Sequence, residues 1–303
     1  MRCDLHVHSR FSGRCTVPIL RHVVDESYSE PEQVYVRARA RGMDLVTLTD
    51  HDTIEGALAL AGRPDTFVSE EVTCGLPGGR ELHLGVYDLT EEQHAGISVR
   101  RHDAERLFAY LAEQRLPVSL NHPFSALTGD RRTHDLDVAF ARFDLVEGRN
   151  SMLPPVTNRS AVEAATSRGL SLVGGSDSHT LNSVARAYTV VPGARTRAEF
   201  LAGLRQGFTI PAGESGTYAR FTGDLARIAG LAYRQALTGS VAPLTAAALL
   251  AAAPLLPLLP LVTAAVYLHE RAFAARHFER FTGDVGRRRR RPLGGGTMAP
   301  ASA

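Results

Sequence analysis

Three observations predict an α/β domain followed by a hydrophobic helical appendage. Short, β-rich apolar runs alternate with stretches of helical periodicity through the first two thirds of the chain, the pattern of strands joined by crossover helices. These runs lead into histidines or carboxylates, so polar chemistry gathers where strands leave the core. After Gly216 the alternation stops, and residues 241–268 carry no charged side chain.

The elements follow in order. A strand is predicted at 2–8, a helix at 31–41, a strand at 45–50, a helix starting at Thr53, and strands at 66–73 and 81–88. A helix at 99–115, a strand at 117–123, a helix at 134–142, a strand at 144–149, a helix at 155–168 and a strand at 171–176 come next. Gly42 and Gly169 each end a helical pattern and precede a strand, as C-terminal caps do. The segment 187–214, with a strand at 188–191 and a helix at 196–206, closes the domain. The predicted organisation is an enzyme domain at 1–216, a hydrophobic helical appendage at 217–286, and a basic, glycine-rich disordered tail at 287–303.

Six motifs carry the chemistry: Asp-Leu-His-Val-His (4–8), Thr-Asp-His-Asp (49–52), Glu-Glu-Val (70–72), Leu-His-Leu (82–84), Asn-His-Pro (121–123) and Ser-Asp-Ser-His (176–179). His6 and His8 stand at i and i+2, which places both rings on one face of a strand. Imidazole and carboxylate donors suit borderline and harder divalent ions such as zinc, manganese or iron. A single buried histidine is usually a satisfied core residue, but this many polar groups at strand ends would be costly to bury without a shared partner. The pattern predicts a metal site.

The arrangement resembles the PHP family, the polymerase and histidinol phosphatase superfamily of metal-dependent phosphoesterases, over about the first two thirds of the chain. The seven predicted strands fit that family's distorted seven-stranded barrel better than an eight-stranded one. The resemblance implies His6, His8 and Asp177 as ligands of a first metal, with Glu71 bridging to a second that His83 and His122 complete. His51 and His179 are implied at a third. Glu71 is preferred to Glu70 because Val72 and Thr73 follow it as apolar and hydroxyl residues follow the family's glutamate, and strand alternation points only one of the pair inward.

One departure bears on the third position. Simpler bacterial members carry an aspartate or histidine a few residues after the His-x-His pair, where this chain reads Ser9-Arg10-Phe11-Ser12-Gly13-Arg14. The segment that follows contains His22, Asp25 and Glu26, any of which could fold back to supply a ligand; a solvated loop is the favoured expectation.

The expected activity is hydrolysis of a phosphate ester on a small molecule or nucleotide, at a bi- or trinuclear centre of two or three divalent ions. The alternatives are an exonuclease-like phosphodiesterase acting on short oligonucleotides and a non-catalytic, membrane-associated metal-binding protein. An amidohydrolase-like enzyme shares His-x-His on a barrel strand, but usually needs a carboxylated lysine or equivalent, and this chain has no lysine. Arg14 and Arg149 are candidate phosphate clamps. Asp50 and Asp52 are expected to orient His51 or a water rather than ligate, and Glu147 and Asn121 to serve similarly.

Three cysteines, Cys3, Cys15 and Cys74, show no pairing pattern, which argues for a reducing compartment. The first strand begins almost at Met1, so no signal peptide is expected ahead of it and the catalytic domain is expected in the cytoplasm. The stretch 241–268 is long enough to cross a bilayer core of about 30 Å. Pro254, Pro257 and Pro260 would kink or break a helix there, so a re-entrant hairpin competes with a single span, and a packed helical hairpin on a soluble protein is the remaining alternative. The unbroken run Arg287, Arg288, Arg289, Arg290 and Arg291 is expected to meet anionic lipid, anchoring the protein to the cytoplasmic membrane. Nothing resembles a dedicated nucleic-acid-binding module. Arg-Phe-Thr-Gly-Asp occurs twice, at 220–224 and 280–284, on either side of the uncharged stretch.

Overall fold

A computed structural model describes residues 1–15 and 23–290 of the chain, with side chains of the last helix described as far as residue 283. His22, Arg291 and the glycine-rich tail lie outside the described residues, as do the side chains of the arginine run at 287–290.

The elements run β1 (Arg2–Asp4), α1 (Pro31–Ala40), β2 (Leu45–Val46), α2 (Glu55–Leu58), β3 (Ser69–Leu76), β4 (Arg80–Tyr87), α3 (Glu91–Ser98), α4 (Ala104–Gln114) and β5 (Val118–Leu120). They continue with α5 (Thr133–Arg142), β6 (Leu145–Asn150), α6 (Pro155–Thr166), β7 (Ser171–Gly175), β8 (Ala187–Val190), α7 (Arg197–Arg205), β9 (Ile210–Gly213) and α8 (Tyr218–Leu237). The chain ends in α9 (Pro243–Ala252), a 3₁₀ segment Ala253–Leu258 and α10 (Leu259–Arg290).

The strands form two sheets, ordered β2-β1-β8-β9 and β3-β4-β5-β6-β7. A closed barrel is not found among the described residues. Several strands are two or three residues long, so the ladders stop early. Isolated parallel bridges, His51 to Glu71, Val46 to Thr66 and Val7 to Ser178, join the sheets at their gaps. Pairing is parallel in β1–β2 and β5–β6–β7 but antiparallel in β3–β4–β5 and β1–β8–β9. The parallel layout that the strand–helix alternation implies therefore holds only in part: β3 returns directly as β4 through Gly78 and Gly79, too short a connection for a crossover helix.

Two elements differ from their predicted form. The helix expected at 99–115 is α4, which begins only at Ala104, where Asp103 accepts from the Arg106 N–H, and a separate helix before it, α3, capped by Thr90 accepting from the Gln93 N–H, was not anticipated. The strand β9 was not anticipated; its register Val190 to Ile210 extends the first sheet past β8.

The largest core cluster packs Val72, Leu82, Leu84 and Leu120 of the second sheet against Leu107, Leu136, Phe140 and Ala161 of the helices. Ala274 and Phe281 of α10 belong to that same core. A boundary at 216 thus cuts through continuous packing, because the small residues Ala161, Ala164 and Ala165 of α6 sit in the core that α10 helps to close. The chain stays helical through the prolines, tightening to a 3₁₀ turn where Pro254 and Pro257 remove donors. Most apolar side chains of α9 and the start of α10 face outward: Leu244 is 83% exposed and Leu261 70%. A packed hairpin is therefore not what covers this stretch.

Candidate metal centre

The centre forms where β1, β5 and β7 and the chain after β2 run out, against Glu71 near the start of β3 and His83 in the middle of β4, so these two sit within strands and not at the strand ends expected. His6 and His8 leave β1 on the same face. Gly175 lies so close that a Cβ there would fall 2.2 Å from the His6 Cβ, so only glycine lets β7 run against this strand. Asp4 ties the two ends together: its buried carboxylate accepts from the Ser176 N–H and hydroxyl, the His6 N–H and the Ala185 N–H. Burial pushes its pKa up to about 6 against these bonds.

Glu71 is the hub. Its Oε2 lies 3.1 Å from His6 Nε2, 3.5 Å from His8 Nε2 and 3.3 Å from His51 Nδ1. Its Oε1 lies 3.4 Å from His83 Nδ1 and 3.2 Å from His122 Nε2. Asp177 Oδ1 is 3.4 Å from both His6 Nε2 and His8 Nε2, and 3.8 Å from His179 Nδ1. The structure thus brings all eight sequence-predicted ligand residues into one cluster. Glu70, on the opposite face of β3, accepts from His94 Nδ1 instead.

A test of whether these residues fit metal ions comes from the tautomers that their outer partners assign. His6 Nδ1 donates to Glu147 Oε1 at 2.7 Å. His8 Nδ1 donates to Ser12 Oγ at 3.0 Å, since the Ser12 hydroxyl is itself given to Asp50. His179 Nδ1 donates to the carbonyl of Asp177. Each ring is left with an Nε2 lone pair turned into the cluster, and each of these three Nε2 atoms is buried without a hydrogen bond, as is Glu71 Oε2. Lone pairs facing carboxylate oxygens repel unless a cation lies between them. Burial, the largest influence on Glu71, Asp177 and His6, opposes charge on each of the three, yet Glu71 and Asp177 are held well below the carboxylate range by neighbouring imidazoles, and His6 is raised well above its usual value by Glu71, Asp177 and Glu147. The cluster demands positive charge. Donor atoms of His6, His8 and Asp177, of His8, His51 and His179, of His51, Glu71 and His83, and of His6, His122 and Glu147 each lie within 4.8 Å of one another. Imidazole and carboxylate donors in such groups fit divalent ions.

The other predicted positions divide. Glu147 braces His6 and also accepts from the His122 N–H and from Asn150, which reaches on to Asp177. Asn121 donates to Glu71 Oε1. Asp50 and Asp52 do not orient His51. Asp50 accepts from the Ser9 N–H and hydroxyl and from Ser12, so it steadies His8 through the turn that follows it. Asp52, in a left-handed conformation at φ 55°, turns away to the Thr73 N–H and Arg101. Arg149 ends β6 but donates to Ser215, and Arg14 pairs with Asp25 at 3.2 Å, so no contact joins either guanidinium to the cluster. The favoured solvated-loop reading of 13–28 fails at Glu26, whose carboxylate stands 3.5 Å from His51 and 3.7 Å from His179. His122 and Asp177 also adopt positive φ, backbone strain of the kind that gathers at functional sites.

Fold and donor set define a mixed α/β protein with a cluster of histidines and carboxylates suited to divalent metal. A family profile described as PHP-associated matches residues 155–209. An uncharacterised protein of Methanocaldococcus jannaschii is 34% identical over 147 residues, 46% of this chain and 78% of that protein. A two-domain protein of Bacteroides vulgatus, described as containing a predicted PHP-like metal-dependent phosphoesterase, superposes with a TM-score of 0.52 at 18% identity, covering 71% of this chain and 65% of that one. PsfC from Pseudomonas syringae superposes with a TM-score of 0.52 at 18% identity, covering 78% of this chain and 98% of its own. At that identity the likeness is one of fold. A profile match over residues 155–209 and a fold shared with PHP-like proteins are the likeness that these comparisons carry.

Proposed function

We propose that the protein hydrolyses a phosphate ester of a small molecule or nucleotide. The observation that carries this is Glu71, whose two oxygens face separate histidine sets at 3.1–3.5 Å, the geometry of a bridge between two ions. Zinc, manganese or iron ions held there would polarise phosphoryl oxygens and make hydroxide available near neutral pH. The chain's own residues do the rest. Glu147 and Ser12 keep the Nε2 atoms of His6 and His8 in their ligating form, Asn121 fixes the Glu71 carboxylate, and Asn150 fixes that of Asp177. Neither Arg14, paired with Asp25, nor Arg149, bonded to Ser215, touches the cluster, so a phosphate clamp by either would require that pairing to be given up.

The test is metal analysis of the full chain, followed by a screen of phosphomonoesters against dinucleotides. Glu71→Gln is expected to release metal and remove activity, whereas Glu70→Gln, whose carboxylate faces His94, should change neither. Preferential cleavage of dinucleotides would move the reading to a phosphodiesterase; metal binding without turnover on either class would leave a non-catalytic metal-binding protein.

The exposed leucines of α9 and early α10 support attachment to a lipid surface at that face. Full-length α10 cannot lie wholly in a bilayer while Ala274 and Phe281 pack in the core, so the geometry favours insertion of one face into the interface over a span by all of α10.

A further inference from the structure

The metal cluster has an unequal rim. His6 and His8 each face both Glu71 and Asp177, but His51 presents only one nitrogen to Glu71: Nδ1 lies 3.3 Å away, and Nε2 faces Glu26. The His51 and His179 rings both stack on His8, with centroids 4.7 and 4.4 Å away. Between His51 Nε2 and His179 Nε2 stands the Glu26 carboxylate, at 3.5 and 3.7 Å, 12% exposed.

The backbone explains how a residue so far along the chain arrives there. Gly13 caps the short 3₁₀ turn Arg10–Ser12 at φ 77°, ψ −140°, a conformation that a residue with a Cβ would resist. The chain then returns on itself: Glu26 N–H donates to the Gly13 carbonyl at 2.9 Å, Arg14 bridges Asp25, and Cys15 N–H donates to the Val24 carbonyl. Glu26 therefore lies across from Gly13. A carboxylate absent from the turn after His8 is delivered by the returning strand.

The returning strand has its own support. Val23, Val24 and Tyr28 pack against Ala232 and Ala236 of α8 and Leu249 of α9. Tyr28 Oη also accepts from the Asp25 N–H. On the other side of the pair, the buried Asp224 of α8 accepts from Thr180, Asn182 and Ser183, the residues that follow His179. Helices α8 and α9 thus grip both segments that flank His51.

We propose that Glu26 is the carboxylate ligand of a third metal position formed with His51 and His179, and that α8 and α9 hold it in place. This rests on the reading of the cluster as a metal centre. The helical appendage is then part of the site rather than a passenger on it.

The test uses the full chain, stripped with chelator and reloaded with Mn²⁺ alone, with metal equivalents counted by mass spectrometry and affinities by chelator competition. The wild type should take three equivalents and Glu26→Gln two, with the remaining affinities unchanged. Leu249→Asp should keep three equivalents but hold the weakest roughly 10- to 100-fold less tightly, the scale on which loss of an outer support acts. Should Leu249→Asp fail to fold, Leu249→Ala carries the same comparison. A wild type that never exceeds two equivalents, a Glu26→Gln protein that matches it, or one that loses every ion would overturn the ligand assignment. Unchanged affinity in the Leu249 variant would overturn the clamp. Glu71→Gln with full metal content would instead sink the reading of the centre beneath both.

Discussion

Among single residues, the side chains behind the donors decide whether the cluster can hold ions. Glu147 touches three parts of the site at once, His6 Nδ1, the His122 N–H and Asn150. Replacing it by glutamine keeps the shape but trades a carboxylate that fixes the His6 tautomer for an amide that can present either end. Glu147→Gln is expected to weaken metal binding by roughly 10- to 100-fold with little change in unfolding midpoint, measured by chelator competition alongside a thermal melt. Most of the converging residues were legible in sequence because they follow apolar runs that mark strand ends, while His83, preceded by Gly78, Gly79, Arg80 and Glu81, was legible only through its likeness to a motif. Direction was harder to read. Asp50 and Asp52 flank His51 in sequence, yet one steadies Ser12 and the other meets Arg101, since a chain leaving a sheet no longer alternates regularly. Glu26 could be named but not placed, because its position depends on pairing across a turn at Gly13.

At the scale of elements, α10 shows why a boundary drawn from composition can miss packing. Its middle turns press Phe278 and Phe281 onto Phe124, with Phe281 also against Phe140 and beneath the Arg168 guanidinium. Phe281→Ala should cost about 3–5 kcal/mol in a denaturant titration, the usual range for emptying a buried aromatic position; a loss under 1 kcal/mol would mean that α10 is only loosely applied. His277, one turn earlier, stacks on Phe273 and is buried. Burial and the nearby Arg131, aided by Arg280 and opposed by Asp130, push its pKa down to about 4. A histidine neutral in the fold and ordinary when unfolded binds its proton more readily in the unfolded chain, so its contribution is intact above about pH 6.5 and is lost as pH falls toward about 4. The fall in unfolding midpoint between those values should be smaller in His277→Phe than in the wild type; equal falls would place the sensitivity elsewhere. Strands were legible to within a few residues where one face is buried, while the β3–β4 return and the separate short helix α3 ahead of α4 depend on turn and cap geometry that hydrophobic pattern does not encode.

For the molecule as a whole, the helical layer has two faces with different duties. Its inner face contributes Glu270, which accepts from the Ala126 N–H and Thr157, and Asp224, which accepts from the segment after His179. Its outer face exposes Leu244, Leu255, Leu256, Leu258, Leu261 and Val262. The uncharged composition was legible in sequence, but which side chains would remain outside was not, because that depends on α10 being committed to the core from Glu270 onward. A lipid surface is the expected cover for the outer face. Full-length protein should therefore sediment with zwitterionic vesicles and stay with them in high salt, since ions screen a polybasic contact but not apolar insertion. Leu255→Asp with Leu261→Asp should weaken that partitioning by roughly tenfold or more per residue, because each leucine withdrawn from water accounts for about 1.5–3 kcal/mol when fully buried. Release by salt alone would locate the attachment in the arginines instead, and protein that stays in the supernatant as a concentration-dependent dimer would show that a second copy, not lipid, covers the leucines.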